Sequence, residues 1–253
     1  MAGAFPSCKV VGFNPLAEAG YPDVECPVVF LQGCNLRCPY CLNASIVVPH
    51  GSLKEIAFDE VVAKVRRLGS QHILISGGEP TWNPRIQELV DAFREEGLKV
   101  RLSTNGTFPS VLKSVLASGG VSFVAMDIKT SYSADFWKRF PIIAPGVGGG
   151  SLAEMSSRVM SSHHLLEMRA DEDPSFDFEV RTTLFPPLVD MDAVKSISKL
   201  LKPGTRWVLQ QFRPKAGLID PAAEHVRPYD AATVEAMLSA AREAGMDASV
   251  RYP

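Results

Sequence analysis

The sequence predicts an α/β domain on a parallel sheet, in the form of an open, partial barrel of about six strand–helix units. Short apolar runs typical of buried strands alternate along the chain with stretches whose apolar residues recur at helical spacing. A chain of 253 residues accommodates such units but falls short of a closed barrel of about eight. We expect a single domain over residues 1–253, with a core at about 26–212 and a C-terminal helix and strand within 228–253.

The individual elements follow from local patterns. The predicted strands span 28–31, 72–76, 99–103, 122–129, 176–184 and 206–212. Phe58, Val61 and Val65 illustrate the helical spacing, and Pro84 and Gly97 mark the start and end of the next helix. The predicted helices span 58–68, 84–96, 111–117, 151–170, 192–201 and 231–244.

The composition excludes two classes of partner. The net charge is −2, from 26 basic and 28 acidic residues, so the chain lacks the excess of basic residues typical of proteins that bind nucleic acid. No apolar run reaches the roughly 18 residues that indicate a membrane span. The N-terminus has neither the basic nor the apolar region of a signal peptide. We therefore expect a cytoplasmic protein with no nucleic-acid or membrane partner.

The most informative feature is the C-x3-C-x2-C cluster of Cys34, Cys38 and Cys41, with an aromatic residue before the last cysteine. Three thiolates on one loop can hold three corners of a cubane iron–sulfur cluster and leave one iron open. From spacing alone, zinc with a distant fourth ligand or no metal at all remain alternatives. Disulfides are disfavoured because the cysteine count is odd and a cytosol is reducing. We expect no ligand role for the isolated Cys8 and Cys26.

Polar or glycine-rich segments follow the second, third and fourth predicted strands. They are Gly-Gly-Glu-Pro at 77–80, Ser-Thr-Asn-Gly at 103–106, and Asp127 with Lys129. The carboxyl ends of parallel strands meet at one edge of a sheet, so we expect these segments to share one site with the cysteine loop. Taken alone, each also fits a plain structural role: a strand–helix turn, a capping turn or a satisfied Asp–Lys pair.

The chemistry of the first two segments suits a polar, charged ligand. Two adjacent glycines allow backbone to approach a ligand closely and to take positive φ. A backbone carbonyl or the Glu79 carboxylate can accept from an ammonium group, and the hydroxyl and amide groups suit a ribose or a carboxylate. The candidate ligand-binding residues in these segments are Gly77, Gly78, Glu79, Ser103, Thr104 and Asn105.

Four further candidates come from the fourth to sixth strands. Asp127 and Lys129 share one strand face by the period of two, and both need partners if they are buried. Arg181 on the fifth strand and Gln210 at the end of the sixth complete the set. The plain alternatives for these last two are a surface ion pair and strand-end capping.

These motifs resemble those of the radical S-adenosylmethionine (SAM) superfamily, in which three cysteines hold a [4Fe–4S] cluster and the open iron chelates SAM. The segment 77–80 is similar to the family's methionine-amine-binding motif. Asp127-Ile128-Lys129 resembles the Asp-(Leu/Ile)-Lys motif of glycyl-radical-enzyme activases, and Arg181 stands where activases carry an arginine that contacts SAM. Leu-Gln-Gln-Phe at 209–212 resembles activating proteins of anaerobic ribonucleotide reductase, in the pyruvate formate-lyase activating enzyme group.

The resemblance implies a partial barrel and a radical reaction. An electron from flavodoxin or ferredoxin would reduce the cluster, SAM would be cleaved to methionine and a 5′-deoxyadenosyl radical, and the radical would take a hydrogen from a glycine of a partner glycyl radical enzyme. The implied cofactors are the [4Fe–4S] cluster, SAM and a monovalent cation beside Asp127 and Lys129. No general base is needed, so no catalytic side chain is predicted.

The chain departs from activases in two places, and the function has two alternatives. Leu42 stands where many activases have histidine, and the stretch 144–174 is longer than usual. Its glycine-rich run 145–151 is either a segment that moves aside for a protein substrate or a simple connector. The alternatives are a radical SAM reaction on a small molecule, such as the ring contraction that makes 7-carboxy-7-deazaguanine, and a non-enzymatic zinc or iron–sulfur scaffold.

Overall fold

The computed structural model describes residues 8–16, 26–48, 53–83, 85–131 and 152–252. Its strands form one sheet in the order in which they occur along the chain. The strands are β1 (Val10–Asn14), β2 (Val28–Leu31), β3 (His72–Gly77), β4 (Lys99–Thr104), β5 (Val121–Asp127), β6 (Asp177–Leu184), β7 (Arg206–Gln211) and β8 (Asp247–Arg251). The helices are α1 (Ala44–Val47), α2 (Phe58–Arg67), α3 (Ile86–Glu95), α4 (Pro109–Ala117), α5 (Leu152–Glu172), α6 (Met191–Ser198) and α7 (Ala231–Glu243).

The predicted parallel α/β fold is confirmed, and the sheet is larger than expected. The six strands of the predicted barrel are β2 to β7, each parallel to the next, and β8 adds to β7 in parallel. The sequence did not predict β1, which pairs antiparallel with β2. Gly12 allows this strand to pass closely over Phe30, because a Cβ there would lie 3.2 Å from the Phe30 Cβ. Within the described ranges no ladder joins β1 to β8, so the sheet is open between them.

The predicted helices are present with shifted ends, whereas the short α1 was not predicted. α4 starts earlier than predicted, at Pro109, whose fixed φ suits the first helical turn. Most of the irregular stretch 144–174 is the helix α5, while the glycine run 145–151 and Pro84 lie outside the described residues. In the part of the chain that is described, no helix is both long enough and apolar enough to cross a membrane.

The two faces of the sheet carry different cores. The outer face packs against the helices. On α3, Leu89, Val90 and Phe93 are fully buried, and the burial of each side chain stabilises the fold by about 2 kcal/mol. A separate apolar cluster lines the inner face near the amino-terminal ends of the strands: Cys26, Val28, Leu74, Phe123 and Ala125, with Phe30 against it. Because side chains alternate along a strand, the polar residues two positions further on share this inner face at the carboxyl ends.

Candidate active site

A cavity of about 630 Å³ opens at the carboxyl ends of the strands. Its walls come from the cysteine loop and from residues at the ends of β3 to β8. The cavity brings together every residue that the sequence proposed: Cys34, Cys38, Cys41, Gly77, Gly78, Glu79, Ser103, Thr104, Asn105, Asp127, Lys129, Arg181 and Gln210. These residues come from six separate segments of the chain, so parallel-sheet geometry is what gathers them.

The cysteine loop follows β2 and is tightly turned. The Leu36 N–H lies 3.3 Å from Cys34 Sγ, and the Cys41 N–H donates to the Cys38 carbonyl at 3.0 Å. Cys34 and Cys38 are buried, and burial raises the pKa of the Cys38 thiol to about 12. The thiols are therefore protonated at neutral pH until a metal displaces the protons.

The donor set fits an iron–sulfur cluster. In the described ranges no three His, Cys, Asp or Glu side chains are gathered closely enough to hold a single metal ion. The three loop cysteines nevertheless face one cavity, and a four-iron cluster takes each thiolate on a different iron rather than at one point. The other cysteines lie elsewhere, Cys8 in the outer core and Cys26 in the inner apolar cluster.

The two glycines of the segment 77–80 are needed for a reason that the sequence did not reveal. A Cβ at Gly78 would overlap the carbonyl of Gly33 in the cysteine loop, and Gly77 has a φ of +118°. The Glu79 N–H donates to the same Gly33 carbonyl at 2.8 Å. The close backbone approach expected toward a ligand is thus made in the structure toward the cysteine loop.

The buried Glu79 carboxylate links the ends of β3 and β4 through hydrogen bonds. Its Oε1 accepts from the Thr81 N–H at 2.9 Å and from the Thr104 hydroxyl at 2.7 Å. Its Oε2 accepts from the Asn105 N–H at 2.6 Å. Burial raises the pKa of this carboxyl, and the donors oppose that rise. The carboxylate expected to meet an ammonium group therefore organises the wall itself.

A second network joins the cysteine loop to the segment after β4, and the sequence analysis missed two of its members. The Asn105 Nδ2 donates to the Asn35 Oδ1 at 3.0 Å, and the Asn35 Nδ2 donates to the Thr107 hydroxyl at 2.9 Å. The Asn105 Oδ1 in turn accepts from Thr107. Asn35 and Thr107 carry no distinctive local pattern, since their partners lie about 70 residues away in the chain.

The Asp127–Lys129 ion pair, which was the plain structural alternative for these residues, forms and includes Arg181 as a third member. The Lys129 ammonium lies 2.9 Å from Asp127 Oδ2, and the Arg181 Nε lies 3.0 Å from Oδ1. The guanidinium also donates to the Ser103 hydroxyl at 3.2 Å. Burial opposes ionisation of Asp127, but Arg181 and Lys129 hold its pKa below the usual value. The strand was predicted to reach 129, but β5 ends at Asp127, so Lys129 lies past the end of the strand and not on its face.

An aromatic chain anchors the cysteine loop on its other side. The Tyr40 ring lies 5.1 Å from that of Phe185, just after β6, and Phe185 lies 4.9 Å from Phe212, just after β7. The Asp220 N–H adds a hydrogen bond of 3.1 Å to the Pro39 carbonyl. The loop is therefore held against both halves of the sheet.

The far wall of the cavity contains residues that the sequence analysis did not propose. Thr183, Gln211 and Arg213 contribute from the ends of β6 and β7, and Arg251 and Tyr252 from β8 and the residue after it. β8 was predicted, but it lies outside the predicted core, so its residues were not considered for the site.

Comparison with known proteins identifies the class of enzyme to which this fold and cysteine loop belong. The model of the radical SAM superfamily matches residues 28–143. A relative in Methanocaldococcus jannaschii, named "Putative glycyl-radical enzyme activating enzyme", is 30% identical over 207 residues, 81% of this chain and 80% of its own. The chain belongs to the radical SAM superfamily and is an enzyme of that class.

Two other known proteins are similar to this chain over different parts of its length. The 7-carboxy-7-deazaguanine synthase of Haemophilus influenzae is 33% identical over 135 residues, 53% of this chain and 55% of its own. The crystal structure of Streptococcus suis SuiB bound to S-adenosylmethionine superposes with a TM-score of 0.58 at 14% identity, covering 87% of this chain and 48% of that one. The SuiB match shows a shared fold.

Proposed function

We propose that the protein is a radical SAM enzyme that installs a glycyl radical on a partner enzyme, of the anaerobic ribonucleotide reductase or pyruvate formate-lyase type. The observation that carries this proposal is the similarity to the M. jannaschii protein, which extends over 80% of that protein's length. The proposal includes cytoplasmic location and flavodoxin or ferredoxin as the electron donor.

In this proposal Cys34, Cys38 and Cys41 hold a [4Fe–4S] cluster. When bound and reduced, the cluster supplies an electron that cleaves SAM to methionine and a 5′-deoxyadenosyl radical. The chain's own residues bind and orient SAM and exclude water from it. The proposed SAM pocket comprises Gly77, Gly78, Glu79, Ser103, Thr104, Asn105, Asp127, Lys129, Arg181 and Gln210, all of which line the cavity.

The proposed roles within this pocket follow from the hydrogen bonds. Glu79 and Asn105 hold the ends of β3 and β4 at a set distance from the cysteine loop. Asp127 stays ionised beside the positive side chains of Lys129 and Arg181, and the three charged groups form one wall of the pocket. A monovalent cation, if one binds, would use the Asp127 carboxylate and compete there with Lys129 and Arg181.

A reaction on a small molecule is the second candidate. It is favoured by the similarity to the H. influenzae 7-carboxy-7-deazaguanine synthase over about half of each chain. The same cavity would then admit a metabolite beside SAM. Membership of an enzyme superfamily removes the scaffold alternative.

The deciding experiment is electron paramagnetic resonance of the reconstituted, reduced protein with SAM and a candidate glycyl radical enzyme. A doublet from a glycyl radical on the partner is the expected result. Parallel reactions contain a candidate pterin substrate in place of the partner. SAM-dependent conversion of the pterin to a ring-contracted product, with no radical on any protein partner, would replace the activase proposal with the small-molecule one.

A further inference from the structure

Arg37 lies between the first two cysteines of the loop, and its side chain folds back onto the loop backbone. Its Nη1 lies 2.7 Å from the carbonyl oxygen of Cys34 and 2.9 Å from that of Leu36. A guanidinium nitrogen of this kind carries two hydrogens, so it can donate to both acceptors. One half-buried side chain thus joins two carbonyls of the cysteine loop.

These two carbonyls flank the peptide group that reaches the cysteine sulfur. They belong to the peptides on either side of the Asn35–Leu36 peptide, whose N–H lies 3.3 Å from Cys34 Sγ. The Asn35 side chain is buried and held by Thr107. The planar guanidinium fixes both neighbouring peptides, so it restrains rotation of the one between them.

We propose that Arg37 is a positioning residue that keeps the Leu36 N–H on the Cys34 sulfur and thereby raises the reduction potential of the cluster. The inference rests on the proposed binding of a cluster by the three cysteines. Hydrogen bonds to cluster sulfurs stabilise the reduced, more negative state, and groups that orient ligands tune a metal centre without touching it. Lysine is a poor substitute, because the hydrogens of its ammonium rotate freely, whereas the two on Nη1 have fixed directions in the guanidinium plane.

The test compares R37Q and R37K with the unchanged protein after anaerobic reconstitution. The matched control is R85Q, an arginine whose carboxylate partner Glu88 is exposed on α3. Each protein is poised at a series of potentials, and the reduced cluster is measured by electron paramagnetic resonance. We expect R37Q and R37K to show about a tenfold lower ratio of reduced to oxidised cluster at fixed potential, a shift of about 59 mV for one electron. R85Q should titrate like the unchanged protein.

Two results would overturn the role of Arg37 and leave the cluster proposal intact. One is an R37Q cluster that titrates like that of the unchanged protein. The other is full restoration in R37K, since charge alone would then account for the effect. Loss of the cluster in both Arg37 variants, with R85Q loaded and circular dichroism unchanged, would show that the cysteine loop needs the Arg37 hydrogen bonds to hold a cluster. That result supports the positioning role. An unchanged protein that takes up no iron and sulfide overturns the proposed function and this inference with it.

Discussion

Glu79, just past β3, accepts a hydrogen bond of 2.7 Å from the hydroxyl of Thr104 at the end of β4. The same carboxylate also accepts from the backbone N–H groups of Thr81 and Asn105. An acidic residue in a conspicuous motif is thus occupied in holding two strand ends together, and it faces donors only. This arrangement makes the effect of removing the charge predictable.

We predict that E79Q destabilises the metal-free protein by about 1–3 kcal/mol, because one amide NH2 would face donors that it cannot satisfy. Urea unfolding measures the change. E88Q is the matched control, since Glu88 lies exposed on α3 with Arg85 and its replacement should leave unfolding unchanged. Equal effects of the two substitutions on the free energy of unfolding would show that the Glu79 hydrogen bonds contribute nothing to stability.

We predict that each of C34A, C38A and C41A abolishes cluster assembly, whereas C8A and C26A retain it. The first three cysteines line the cavity, and the other two are buried in the outer core and the inner apolar cluster. Iron and sulfide content after anaerobic reconstitution, with visible absorption, checks this. Loss of the cluster in C8A or C26A, in a protein that still folds by circular dichroism, would contradict the ligand assignment.

G78V should disrupt the cysteine loop and therefore both the cluster and SAM binding. From the motif alone, a valine would block SAM and leave the cluster in place, but its Cβ would overlap the carbonyl of Gly33. Iron content and anaerobic calorimetry with SAM measure the two effects. G119A is the control for adding a side chain at a glycine, because a Cβ at Gly119 would face open space. A G78V protein with a full cluster and no SAM affinity would restore the earlier expectation.

The stability that Asp127 contributes should depend on pH with a definite sign. Arg181 and Lys129 lower its pKa in the folded protein, so the contribution is present above the unfolded pKa of about 3.9 and is lost as pH falls through the folded value. In urea unfolding, the difference between the unchanged protein and D127N should be constant from about pH 7 to about pH 5 and shrink at lower pH.

The control for this pH series is D91N, whose carboxylate lies on the exposed face of α3 beside Arg94. It should unfold like the unchanged protein throughout. A difference for D127N that grows as the pH is lowered would contradict the pairing of Asp127 with its two cations.

Local pattern was enough to determine the strands β2 to β7 and the helices between them, except for the short α1. Burial imposes a period of two on strands and about 3.6 on helices, and these periods are visible in the sequence itself. The chelating cysteines were equally readable, because their spacing is local. The candidate site followed from one general rule, that parallel strands present their carboxyl ends at one edge. That rule placed Gly78, Asp127 and Arg181 around one cavity.

The tertiary structure alone decided which groups from distant segments of the chain come into contact. The antiparallel β1 pairs with β2, and Gly12 relieves a tight contact with Phe30 there, but no local period in the sequence indicates such a pairing. The roles of Glu79 and Asn35 were hidden for the same reason, since a polar side chain shows its type in the sequence but not its partner. Hydrogen-bond energy depends steeply on distance and angle, and both are properties of the folded chain.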